Sequence, residues 1–174
     1  MMDIYIIKTS VTDKKTEELL KIFQKKEILN EHFQKIHNYA YLMLDRILEN
    51  VYQIKDRAIL FKDKKPYLKS NEKQFSISHS GKYIVLAFSD YNCGVDIEEM
   101  KERDYKKISQ RMGFDVSTKE DFYVKWTEYE AKYKLNNTVN SKKCLKFDNY
   151  VLTALSTNKT EEYEIYFQNN GELY

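Results

Sequence analysis

The chain has 174 residues, enough for one ordinary domain or two small halves that share a core. With 42% hydrophobic and 32% charged residues, only 4 Gly and 1 Pro, it is not collagen-like, linker-like or Pro-rich and disordered. A net charge of +2 is far from the basic excess of a protein that wraps a nucleic-acid backbone.

The opening residues Ile4–Ile7 read as a short strand, with Ser10, Thr12 and Asp13 behind it as helix caps. The short apolar run before Lys8 and the absence of a basic leader predict no signal peptide, no membrane span and a cytoplasmic location. Apolar residues then recur at helical spacing, which predicts two amphipathic helices over 13–28 and 30–49. Beyond Asp56 the period changes to short aromatic or β-branched runs, Ala58–Phe61, Phe75–Ser78, Tyr83–Phe88 and Cys93–Glu98. They are separated by turn residues such as Lys64-Lys65-Pro66 and Ser80-Gly81. Tyr83–Phe88 is apolar throughout, as a strand buried on both faces would be. Helical spacing returns over 103–112 and 119–135, and strands near Val151–Ser156 and Glu162–Phe167 follow. This order predicts an α+β fold with an antiparallel sheet. Helices followed by strands occur in both halves, so a duplicated architecture is permitted. Cys93 and Cys144 have no zinc-site spacing and read as two reduced thiols.

Three segments carry polar groups in patterns that suit chemistry. In Gly94-Val95-Asp96-Ile97-Glu98, strand alternation puts Asp96 and Glu98 on one face and Val95 and Ile97 on the other. Such a carboxylate pair can share a hard divalent cation, or form a solvent-facing acidic strand. On the helix over 119–135, Trp126, Glu130 and Lys134 form one stripe at four-residue spacing. That stripe can add a third carboxylate and a phosphate-neutralising ammonium, or a core Trp with an ordinary Glu–Lys pair. Phe75-Ser76-Ile77-Ser78-His79-Ser80-Gly81 ends a strand in hydroxyls and an imidazole, groups that suit an anion or a structural turn.

Taken in this order, Lys65-Pro66-Tyr67, Ile77-Ser78-His79-Ser80-Gly81, Gly94-Val95-Asp96-Ile97-Glu98 and Phe122-Tyr123 through Lys134 resemble the 4′-phosphopantetheinyl transferases. The similarity is greater to the larger, two-halved type that activates peptide and polyketide synthetases. The resemblance implies two similar α+β halves, 1–91 and 92–174, with the active site in the cleft between them. It implies transfer of the phosphopantetheine arm of coenzyme A to a serine of an apo acyl or peptidyl carrier protein, by a monomer. Asp96, Glu98 and Glu130 would hold Mg²⁺, or Mn²⁺ in its place, and Glu130 would also serve as the base for the carrier serine. Lys134 would contact the pyrophosphate and protonate the departing phosphate. Ser78 and His79 would grip the 3′-phosphate and Lys65 would lie beside the adenine; the arginine the family commonly uses for the 3′-phosphate is not evident, and His37 would occupy that region.

The sequence departs from the family pattern at Tyr129, where a Lys is frequent, at Lys64, where a Gly is usual, and at Asn136-Asn137-Thr138, in place of a Gly-rich segment. These departures define the alternative, a coenzyme A- or carrier-binding module of the same fold without turnover. An aromatic-rich single-stranded nucleic-acid binder is disfavoured, because the 15 Tyr and 9 Phe fall mostly at core-like positions without interleaved basic stripes.

Overall fold

The computed structural model describes residues 1–9 and 31–168. The helix expected over 13–28, with its caps, lies outside the described residues. Strand β1 (Met2–Lys8) is followed by helix α1 (Glu31–Asn50), strands β2 (Ile59–Lys62), β3 (Lys65–Leu68), β4 (Gln74–Ser80), β5 (Tyr83–Ser89) and β6 (Cys93–Glu99). Helices α2 (Tyr105–Met112) and α3 (Lys119–Leu135) and strands β7 (Ser141–Phe147), β8 (Tyr150–Ser156) and β9 (Tyr163–Gln168) complete it. The fold is α+β, as the sequence pattern indicates.

Strands form a four-stranded sheet in the order β4-β5-β1-β9, a three-stranded sheet in the order β6-β8-β7 and the separate hairpin β2-β3. All pairs are antiparallel except β1 with β9, where Met2 opposes Tyr163 and Ile7 opposes Gln168. That parallel pair corrects the expectation of purely antiparallel pairing. It arises because β9 leaves the second sheet's segment of chain and fills the free edge of β1.

Strand alternation builds the core in layers. Ile84, Leu86 and Phe88 of β5 pack with Tyr5 and Ile7 under Leu42, Met43, Leu44, Ile47 and Leu48 of α1. From the other face of the same strands, Tyr83, Val85 and Ala87 meet Val95 and Ile97 of β6 and Leu152 and Ala154 of β8. Strand β5 is therefore buried at every position, as its unbroken apolar run predicts. The outer face of the second sheet packs on α3, through Phe122, Tyr123 and Val151 at one end and Ala131, Leu135 and Leu155 at the other. The succession is helix, sheet, sheet, helix.

Two local corrections have simple causes. The turn expected at Lys64-Lys65-Pro66 lies one residue earlier, where Asp63 and Lys64 take positive φ of 49° and 67°. A two-residue turn of that hand matches strand twist, so Lys65 and Pro66 begin β3 and Pro66 pairs with Phe61 in an isolated hairpin that tolerates a missing N–H. Strand β7 was not expected, since Lys142, Lys143 and Lys146 interrupt its apolar pattern on an outer edge strand.

Candidate active site

The clearest local instruction in the chain sets α3. Thr118 accepts from the Asp121 N–H and Asp121 accepts from the Thr118 N–H, a reciprocal cap, while Asn136 ends the helix in the left-handed conformation with its N–H on the Lys132 carbonyl. Asn136 thus performs the backbone task usually given to glycine at this point. Helix α3 lies very close to β6: a Cβ added at Gly94 would stand 2.2 Å from the Ala131 carbonyl oxygen and 2.7 Å from the Leu135 nitrogen. The close approach at Gly94 is therefore to the helix.

With α3 pressed on β6, the expected stripe meets the expected carboxylates. Lys134 Nζ donates to Asp96 Oδ1 at 2.7 Å and to the Val95 carbonyl at 3.0 Å. Glu130, one turn back, feels the Asp96 charge. Burial first, and then Asp96, raise the Glu130 carboxyl above its ordinary value, with Lys134 opposing. Glu98 is raised in the same way, by burial and then Asp96. Ser80, Arg103 and the Trp126 indole partly offset the shift. Trp126 also packs against Phe122 with ring centroids 5.8 Å apart, so this side chain supports the core and faces a carboxylate.

Asp96 is the centre of the group. Only 5% of it is exposed, and Oδ1 accepts from both Lys134 and the Ser78 hydroxyl, the latter at 2.7 Å. The second oxygen, Oδ2, is buried without a hydrogen-bond partner. A buried oxygen of this kind is costly unless a further group meets it. Among the described residues, no set of three or more His, Cys, Asp and Glu side chains is gathered at ligating distance. Asp96, Glu98 and Glu130 are thus electrostatic neighbours without forming a closed three-carboxylate cage.

Sequence reasoning did not find what lies between the two sheets. Ser76, Ser78 and Ser80 share one face of β4 and accept from the backbone N–H groups of Val95, Ile97 and Glu99, at 3.0, 3.3 and 3.0 Å. Strand β6 is the edge of its sheet, and the serines supply the acceptors that a neighbouring strand would otherwise provide. Ser80 donates in turn to Glu98 Oε2 at 3.1 Å. The signal was present as hydroxyls at every second residue, but its partner is a strand edge distant in sequence.

His79 points to the opposite side of β4. The residue is exposed overall, yet partial burial, with the Lys134 and His37 charges next in weight, pushes the imidazole below its ordinary value, and Asp96 opposes this. His37 lies near enough to His79 to contribute, and burial lowers its own imidazole. Lys65 is held elsewhere. Its Nζ donates to Asn92 Oδ1 at 2.8 Å, and Asn92 Nδ2 donates to the Leu135 carbonyl at the end of α3, also at 2.8 Å. Burial pushes the Lys65 ammonium down, with Cys93 opposing. Tyr129 is 46% exposed and makes an edge contact with Phe114 and a tilted one with Trp126.

No helix among the described residues is long and apolar enough to cross a membrane. No protein-family model and no curated protein matches the chain.

Proposed function

We propose that the chain is a 4′-phosphopantetheinyl transferase that moves the phosphopantetheine arm of coenzyme A to a serine of an apo acyl or peptidyl carrier protein. The observation that carries this reading is Asp96, a buried carboxylate with one oxygen held by Ser78 and Lys134 and the other left without a partner. The carboxyls of Glu98 and Glu130 both lie close enough to feel its charge.

The donors suit a hard cation. Mg²⁺ takes oxygen ligands, needs only one or two carboxylates from a protein, and completes its shell with phosphate oxygens and water. The buried Asp96 Oδ2 is an oxygen of that type, so Asp96 with Glu98 and Glu130 would hold Mg²⁺ or Mn²⁺. When bound, the ion neutralises pyrophosphate charge as the phosphoryl group transfers. The remaining work falls to the chain. Glu130, whose carboxyl is raised above its ordinary value by burial and then by Asp96, takes the proton of the carrier serine as that oxygen forms its bond to phosphorus. The phosphorus–oxygen bond to the leaving adenosine 3′,5′-bisphosphate then breaks. Lys134, half-buried beside Asp96, faces the charge that develops there and supplies a proton to it. Of the two groups expected at the 3′-phosphate, His79 would contact it, since the Ser78 hydroxyl is engaged by Asp96, and Lys65 would lie beside the adenine on release from Asn92.

The two sheets support a two-halved reading by their strand order. In each, the second strand of a hairpin lies between its first strand and the strand that opens the unit, as β4-β5-β1 and β7-β8-β6. Asn136 in the left-handed conformation supplies the helix end without the glycines usual in the family.

The test is direct. The protein is incubated with coenzyme A, Mg²⁺ and a panel of apo carrier proteins, and the carriers are weighed by intact mass spectrometry. Gain of one phosphopantetheine arm on a carrier serine is expected. Coenzyme A binding without transfer to any carrier would favour the non-catalytic module instead.

A further inference from the structure

We infer that Ser78 is a positioning residue that aims the Asp96 carboxylate at a bound divalent cation, and that the serine ladder of β4 keeps β6 in the register this requires. The inference rests on the proposed metal role of Asp96 and extends it to a residue outside the carboxylate set.

A hydroxyl has one proton to donate. That of Ser78 goes to Asp96 Oδ1 at 2.7 Å, while its oxygen accepts from the Ile97 N–H at 3.3 Å. Ser78 is only 6% exposed, so water does not compete for either bond. The hydroxyl therefore fixes the side chain of Asp96 and the backbone one residue beyond it at the same time. With Lys134 on the same oxygen, rotation of the carboxylate is restrained from two sides and Oδ2 is left as the oxygen presented without a partner. Loss of a group that holds a ligating carboxylate in place typically costs about 10- to 100-fold in metal affinity or activity. Because its proton is engaged in this way, Ser78 reaches the chemistry through Asp96, and direct contact with a phosphate falls to His79.

The ladder contains its own control. Ser76 accepts from the Val95 N–H at 3.0 Å, just as Ser78 does from Ile97, and it is equally buried at 5% exposure. Among the described residues its hydroxyl bonds to no carboxylate. Ser76→Ala and Ser78→Ala each remove one acceptor from the edge of β6, and only the second releases Asp96.

The experiment measures Mn²⁺ binding to the purified protein by titration calorimetry and electron paramagnetic resonance, with thermal unfolding of every variant. Both alanine variants are expected to lower Tm by similar amounts. Mn²⁺ binding is expected to weaken about 10- to 100-fold in Ser78→Ala, to stay at the wild-type level in Ser76→Ala and to return in Ser78→Thr, which keeps the hydroxyl on a strand-favouring side chain. Equal Mn²⁺ affinity in wild type and Ser78→Ala would overturn the positioning role and leave the metal reading standing. Equal weakening in Ser76→Ala and Ser78→Ala would assign the effect to the joint between the sheets and also overturn it. Absence of Mn²⁺ binding to the wild-type protein would overturn both.

Discussion

Each of the two larger sheets is covered by a helix, and the helices packed on them differ in character. Helix α1 presents a continuous apolar face, Tyr39, Ala40, Leu42, Met43, Leu44, Ile47 and Leu48, to the four-stranded sheet, and every one of these residues is nearly inaccessible. Helix α3 buries Phe122, Tyr123, Thr127, Ala131 and Leu135, but beside that face runs the half-buried stripe Trp126, Glu130 and Lys134, set against Asp96 and Glu98. One helix serves adhesion, the other adhesion with charge. The difference comes from a few positions: Gly94 lets α3 approach β6, and the serines of β4 hold the edge where the carboxylates stand.

This contrast predicts that damage will separate by region, chemistry being lost from the charged stripe of α3 and stability alone from the apolar face of α1. The largest effect is expected for Asp96→Ala. Loss of several kcal/mol of transition-state stabilisation, at 1.36 kcal/mol per decade, reduces transfer by more than about 100-fold. Circular dichroism should show a retained fold, and transfer at the wild-type rate would remove Asp96 from the mechanism.

On the α1 side, Leu44→Ala removes a side chain that is 1% exposed, and unfolding in urea should show a loss of about 2–5 kcal/mol. Transfer per folded molecule should be unchanged, and a selective loss of activity would break the contrast between the helices. Gly94→Ala is expected to cost about 1–3 kcal/mol, because the new Cβ forces α3 away from β6. Unlike Leu44→Ala, it should lower transfer per folded molecule as well.

The smallest effect concerns pH. The Glu98 carboxyl is raised in the folded state, chiefly by burial and then by Asp96, so the folded protein holds that proton more tightly than the unfolded chain. Stability from this group is present below the ordinary glutamate value and falls as pH rises from there through the raised value. Glu98→Gln, measured without metal, should be slightly more stable than wild type near neutral pH, with the difference vanishing toward acid. A variant less stable at pH 7 would show that the charge of Glu98 is welcome in the fold.

Much of the contrast was legible before any coordinates. Helix α3 occupies Lys119–Leu135, the expected range, because the cap pair Thr118 and Asp121 and the stop at Asn136 are local signals. The facing of Asp96 and Glu98, opposite Val95 and Ile97, follows from strand alternation and holds in the structure. What the sequence concealed was non-local. The partner of Ser78 is set by which strand edge comes to lie against β4, and the parallel seat of β9 beside β1 joins residues at opposite ends of the chain. The position of the Lys134 ammonium on Asp96 depends on how closely α3 approaches, a distance that no periodicity reports.

The central claim is that the Asp96 group drives phosphopantetheine transfer. Its most direct test follows release of adenosine 3′,5′-bisphosphate from coenzyme A by chromatography, with wild-type protein, Mg²⁺ and an apo carrier, beside parallel reactions that omit the metal or the carrier. Release matched one for one by modified carrier, and abolished by either omission, is the expected result. No release above the protein-free control with any carrier in a varied panel would contradict the claim.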